Sequence, residues 1–246
     1  MGALDEEKEP ELRASVVQAL GSFKETPEIT AKLESVAKDD ASYRARAAAL
    51  GAIGQMKTPK AYETLTVAVD SESPDGFLRD AALRALGPLG DDKAVPLLRE
   101  WAAPGKDTRS REAAINSLAR LQKNNKEITN QIASYLNDSE FRVRLASIFA
   151  LGSRGDASAL PALESLLKSD DLSIEMAPMI KTQIQRLKNP GKTAAGAHMG
   201  MDEESESAAK SKEDERLSHL EQLVEEMNAR LKTIEARLPA TTGARP

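Results

Sequence analysis

The sequence predicts an all-α protein: a right-handed α-solenoid of about five and a half helical pairs, then a flexible linker and a C-terminal coiled-coil helix. Three observations carry that expectation. A motif that begins at an arginine recurs every 32 or 33 residues. The apolar residues that follow each copy keep helical spacing. The composition is 40% hydrophobic but only 3% aromatic over 246 residues. That balance suits a core of packed Ala and Leu better than a β-sandwich, which favours β-branched and aromatic side chains.

The first helix of the first unit is RASVVQALGSF, starting at Arg13. RAAALGAIGQM at Arg46, RDAALRALGPL at Arg79, REAAINSLARL at Arg111 and RLASIFALGSR at Arg144 repeat it, in steps of 33, 33, 32 and 33 residues. A sixth, degenerate copy, APMIKTQIQRL, starts at Ala177. A period this regular marks a solenoid. One pair of helices buries too few apolar side chains to offset the ordering of its own residues, so the copies must stack to fold.

A second helix follows each first one. Its apolar sets are Ile29, Leu33, Val36 and Ala37; Ala61, Leu65, Ala68 and Val69; and Ala94, Leu98, Trp101 and Ala102. Ile128, Ile132, Tyr135 and Leu136, then Ala159, Leu163, Leu166 and Leu167, complete the series. Each set is spaced i, i+4, i+7, i+8, one face of an α-helix. Trp101, the single tryptophan, stands where other units carry Val, Ala, Tyr and Leu, which makes it a core filler.

Gly21, Gly54, Gly87 and Gly152 share one position, filled by Ala119 in the fourth unit. Glycine inside a helix costs about 1 kcal/mol relative to alanine, so its recurrence predicts a neighbouring helix too close for a larger side chain. Gly90 and Gly155, each followed by aspartate, read as helix stops and the start of the next helix. Pro96 and Pro161 fall near the starts of their helices, where a missing N–H is tolerated. Asp91 and Asp92 read as caps.

These motifs, R-x-A-A-L-x-A-L-G-x-L followed by GD-x-x-A-x-P-x-L, resemble the HEAT family of helical repeats, in the short variety of phycobilin-lyase-like proteins. The resemblance covers residues 11–188. It implies a structural role for Arg13, Arg46, Arg79, Arg111 and Arg144, in a ladder with aspartates ahead of them that is incomplete here, since nothing acidic stands six residues before Arg111. Asp40 and Asp138 stand six residues before Arg46 and Arg144, while Ser73 holds that place before Arg79. The segment from Arg84 to Leu121 also resembles HEAT segments at the C-terminus of bacterial zinc aminopeptidases of the membrane alanyl aminopeptidase family. That resemblance implies a catalytic domain in cis, upstream and outside this chain.

The domain expectation is a solenoid over 1–188, a flexible acidic linker over 189–210, a coiled-coil helix over 211–238 and a disordered tail over 239–246. Leu217, Leu220, Val224, Met227, Leu231, Ile234 and Leu238 alternate in steps of 3 and 4, the a and d positions of three heptads. Parallel pairing sets Arg216 against Glu221 and Arg230 against Glu235 of a second helix, whereas antiparallel pairing sets like charges together. Weak parallel self-association through 211–238 follows. At the other end, Val16, Val17 and Leu20 are expected to be partly uncovered, the mark of a C-terminal fragment. Gln183 and Gln185 are expected to give the sixth unit a polar capping face.

The sequence also excludes chemistries. It has no cysteine and two histidines, His198 in the linker and His219 at a heptad c position. No H-E-x-x-H, phosphate-loop, dinucleotide or nucleophile-elbow motif occurs. No catalytic, cofactor-binding or metal-binding residue is therefore assigned, and no cofactor is expected. A net charge of −5 opposes nucleic-acid binding, and charge interrupts every apolar run, so no membrane partner is expected. The outward residues of the second helices, Lys32, Glu34, Glu63, Arg99, Glu100, Asn130 and Glu164, read as a solvated face. The expected function is a non-catalytic protein-interaction scaffold. The alternatives are the accessory domain of a zinc aminopeptidase and a phycobilin-lyase-like protein. The location is cytoplasmic if the chain is complete, and secreted or periplasmic if it is a fragment.

Overall fold

The computed structural model describes residue 7, residues 9–169 and residues 172–189. By its internal contacts the chain divides into two units, Met1–Pro190 and Gly191–Pro246. The second, with the linker and the heptad residues from Leu217 to Leu238, lies outside the described residues.

Helices and short 3-10 turns make up the regular structure among the described residues, and no strand occurs there. The first-rank helices are α1 (Pro10–Leu20), α3 (Tyr43–Met56), α5 (Phe77–Leu89), α7 (Thr108–Leu118), α9 (Phe141–Arg154) and α11 (Met176–Lys188). The second-rank helices are α2 (Pro27–Asp39), α4 (Ala61–Val69), α6 (Val95–Ala102), α8 (Lys126–Ser134) and α10 (Leu160–Leu167). Each first-rank helix packs on the next one, and each second-rank helix packs on the first-rank helix that follows it. The result is a HEAT-like helical solenoid.

Local chemistry sets the ends. Thr26, Ser42, Asp107 and Asn125 cap α2, α3, α7 and α8 by accepting backbone N–H bonds. Gly90 and Gly155 end α5 and α9 in the left-handed region, at φ 75° and 78°. At the matching points Lys57 and Gln122 take left-handed backbone without a glycine's freedom, at φ 56° and 41°. Three of the continuous second helices expected from spacing are broken. Asp91 and Asp156 each accept from the N–H two residues on, opening 3-10 turns at Asp92–Ala94 and Ala157–Ala159 before α6 and α10. Tyr135–Asn137 is a 3-10 turn after α8. Pro96 and Pro161 sit in the first two positions of the α-helices proper.

One apolar cluster runs through the whole stack. Leu33, Leu50, Leu65, Leu83, Leu98 and Ile115 are among its fully buried members. Val17, expected at an open end, is fully buried too, because α1 packs on α3, while Val16 and Leu20 are half-buried. The expected cap at the other end is corrected in one residue. Gln185 is exposed, but Gln183 is buried against α9 and belongs to a joint between units.

Candidate interaction site

The repeat arginines all project from first-rank helices and reach the ends of second-rank ones. Arg46 Nε donates to Ala37 O at 3.0 Å, Arg79 Nε to Val69 O at 3.3 Å, and Arg111 Nε to Ala102 O at 3.1 Å. Each acceptor is one of the last carbonyls of α2, α4 or α6, where the helix dipole favours a cation. Arg144 differs, donating to Asp138 O at 2.7 Å and Ser139 O at 3.0 Å.

The ladder runs in the opposite sense to the one expected. The Asp40 carboxylate accepts from Arg13, and the Asp138 carboxylate accepts from Arg111 at 3.1 and 2.5 Å, in both cases an arginine 27 residues upstream. The arginines six residues on, Arg46 and Arg144, do not take those carboxylates. The geometry explains this, since each aspartate follows a second-rank helix and faces the arginine of the first-rank helix in the same unit. Arg111 holds the Asp138 carboxyl below the usual range against the pull of burial, helped by the Glu140 N–H. Burial alone would raise Asp40, but Arg13 and the Ser42 N–H outweigh it and the shift is downward. Stability from both pairs is present above the unfolded carboxylate value and is lost as pH falls through the lower folded value.

The repeated glycines lie where first-rank helices cross. A Cβ on Gly21 would stand 2.7 Å from Ala52 Cβ, and one on Gly87 would stand 2.9 Å from Ser117 Oγ. One on Gly54 would meet the Ala85 backbone, with its carbonyl carbon at 3.0 Å. At Gly152 the obstacle is the side chain of Gln183, whose buried Oε1 has no hydrogen-bond partner among the described residues.

Two buried groups, Arg154 and Asp80, escaped the repeat pattern, and a third residue, Trp101, differs from its expected role. Arg154, at the end of α9, is buried and donates to five oxygens. Its Nε reaches Thr129 Oγ1 at 2.8 Å, and its other nitrogens reach the carbonyls of Leu118, Leu121, Gln122 and Asn125. Burial lowers its pKa, opposed by Asp156. This guanidinium braces the turn at Gln122, the one turn that lacks a glycine–aspartate stop and is not followed by proline. The only hint in the sequence is that Arg154 stands where other units have Phe23, Met56, Leu89 and Leu121. Asp80, also buried, accepts from Ser110 Oγ at 2.6 Å across the α5–α7 joint. Burial pushes its carboxyl above the usual range, against the Ser110 bond. Trp101 is half-buried rather than a plain core filler. It packs on the core while Arg79 and Lys106 lie over its ring, 4.7 and 4.3 Å from the centroid.

The second-rank face is not uniformly solvated. Between α2 and α4, above α3, lies a cavity of about 360 Å³. Its floor is Ala37, Leu50 and Ala68, and its wall includes Val67, which is 70% exposed. Arg46, Lys38, Lys60, Glu34 and Glu63 form the charged rim. Tyr43, Phe77 and Phe141, each the first residue of a first-rank helix, are exposed rings outside this groove. Among the described residues no three His, Cys, Asp or Glu side chains gather as a metal-ligand set. No helix there is long and apolar enough to cross a membrane.

The profile for HEAT repeats matches residues 30–119 and 102–177, more than half of the chain. The chain belongs to the HEAT-repeat family. No curated protein matches its sequence. Among solved structures, the complex of CpcE and CpcF of phycocyanin lyase from Nostoc sp. PCC7120 is similar at 19% identity and a TM-score of 0.48, covering 70% of this chain and 98% of that one. A protein called YibA from Escherichia coli is similar at 21% identity and a TM-score of 0.43, over 75% of this chain and 78% of that one. Human deoxyhypusine hydroxylase is similar at 17% identity and a TM-score of 0.40, over 77% and 85%.

Proposed function

We propose that this HEAT-repeat chain is a non-catalytic scaffold that binds other proteins and self-associates weakly, in parallel, through residues 211–238. The observation that supports it is how the polar side chains are used. Among the described residues, the buried pairs Arg154–Thr129 and Asp80–Ser110 close joints between repeats, and Arg111–Asp138 ties the two helices of one repeat together. What the second-rank face leaves open is an apolar groove with a charged rim, the composition of a protein-binding surface.

Sedimentation equilibrium of the full chain tests the self-association. The mass rises toward that of a dimer with concentration, and Leu231→Asp holds it at one chain; a mass independent of both refutes the heptad assignment. Peptide amides incubated with the full chain stay intact. Hydrolysis that a chelator abolishes ends the non-catalytic reading.

A further inference from the structure

Arg46 shows what kind of partner the scaffold takes, an inference that rests on the protein-binding function just proposed. The molecule twice displays how a repeat arginine of this kind is satisfied. Arg13 and Arg111 each grip both oxygens of a carboxylate 27 residues downstream, Asp40 and Asp138. Such two-point, charge-assisted contacts are among the stronger hydrogen bonds a protein makes.

At the same offset from Arg46 stands Ser73, whose hydroxyl accepts from the Leu78 N–H at 3.0 Å. Arg46 is left with one donation, from Nε to Ala37 O, and one face against the Tyr43 ring at 5.6 Å. Among the described residues its two terminal nitrogens have no acceptor. The offset residue from Arg79 is Lys106, also not acidic, but there the Trp101 ring lies against the guanidinium. The ring over Arg46, that of Tyr43, is more distant, and Arg46 lines the groove. Lys38 and Lys60 on the rim are opposed by Glu34 and Glu63, and no ion pair among the described residues joins any of these five charges. The open fork therefore sits at the edge of an apolar floor, with cations in excess.

We propose that this groove binds an acidic, aliphatic segment of a partner protein. An Asp or Glu carboxylate of the partner takes the terminal nitrogens of Arg46, completing the missing rung in trans. A leucine-sized side chain beside it packs against Leu50 and Val67.

The test uses the full chain and two fluorescein-labelled decapeptides, one with an aspartate between two leucines in a Gly/Ser background, the other with asparagine in its place. Fluorescence anisotropy reads binding. The aspartate peptide binds about tenfold more tightly than its twin, the factor expected of one charge-assisted contact. Arg46→Gln removes that preference. Ser73→Asp supplies the rung within the chain, so it also removes the preference while raising the melting temperature, and it carries the test if Arg46→Gln disturbs folding. Arg142→Gln, which breaks an exposed pair with Glu112 elsewhere, leaves the preference intact. Absence of binding by both peptides, equal binding of the two, or a preference that survives Ser73→Asp overturns the proposal. The scaffold function fails by different results, peptide hydrolysis or the loss of heptad-dependent self-association.

Discussion

Replacing Arg154 by leucine should be the most destabilising single change on the second half of the stack. The guanidinium supplies five hydrogen bonds, four of them to backbone carbonyls between Leu118 and Asn125. A buried acceptor left unmet costs about 1–3 kcal/mol. Four at the lower bound, offset in part because no cation then has to be desolvated, leave a net loss of about 3 kcal/mol. For a folded unit of this size that corresponds to a fall in melting temperature of about 6–12 °C. Far-UV circular dichroism of the full chain measures it, with hydrogen exchange to locate the change. Amides of 118–125 should lose protection before those of α3 and α5. Arg154→Lys, with one nitrogen in place of three, should fall between. A leucine variant that melts within about 2 °C of the parent refutes the claim that this side chain braces the turn.

Three further outcomes follow from packing and charge. Gly51→Ala, where an added Cβ meets nothing within 4 Å, should stabilise the chain by about 0.5–1 kcal/mol. Gly54→Ala, three residues on, should destabilise it by about 1–3 kcal/mol because the obstacle is backbone; paired urea melts check both. The raised Asp80 carboxyl makes the native state lose stability as pH rises from the unfolded value toward the folded one. Asp80→Asn should therefore melt higher than the parent at pH 7, with the gap closing below about pH 4, as melts across that range will read.

The solenoid was legible because its determinants are local and repeated. A 33-residue period, glycine or alanine at the crossings and apolar residues at helical spacing state the same answer in five successive units. The ladder was legible in its residues but not in its sense. Asp40 lies nearer in sequence to Arg46 than to Arg13, and only the stacking of helices brings it to Arg13. Arg154 and Asp80 were hidden for the opposite reason. Each occurs once, and an isolated arginine or aspartate in a helix otherwise reads as surface, although Arg154 interrupts the apolar column of Phe23, Met56, Leu89 and Leu121. The groove was missed because its floor is shared by three helices, and Ala37, Leu50 and Ala68 look like any other core residues until α2 and α4 stand apart above α3.

The two ranks of helices are spaced by different rulers. In the first rank the separation at Gly54 is the contact distance of bare backbone against Ala85. In the second rank it is the reach of an arginine, since Arg111 holds the Ala102 carbonyl at the end of α6 with one edge and Asp138, just past α8, with the other. A stack that is tight along one side and propped open along the other must bend, and the amount of bend per step is set by that difference in length. The two rulers are thus two residue types, glycine in the first rank and arginine in the second. The prop is incomplete between α2 and α4, where Arg46 holds the Ala37 carbonyl but the residue 27 positions on is Ser73.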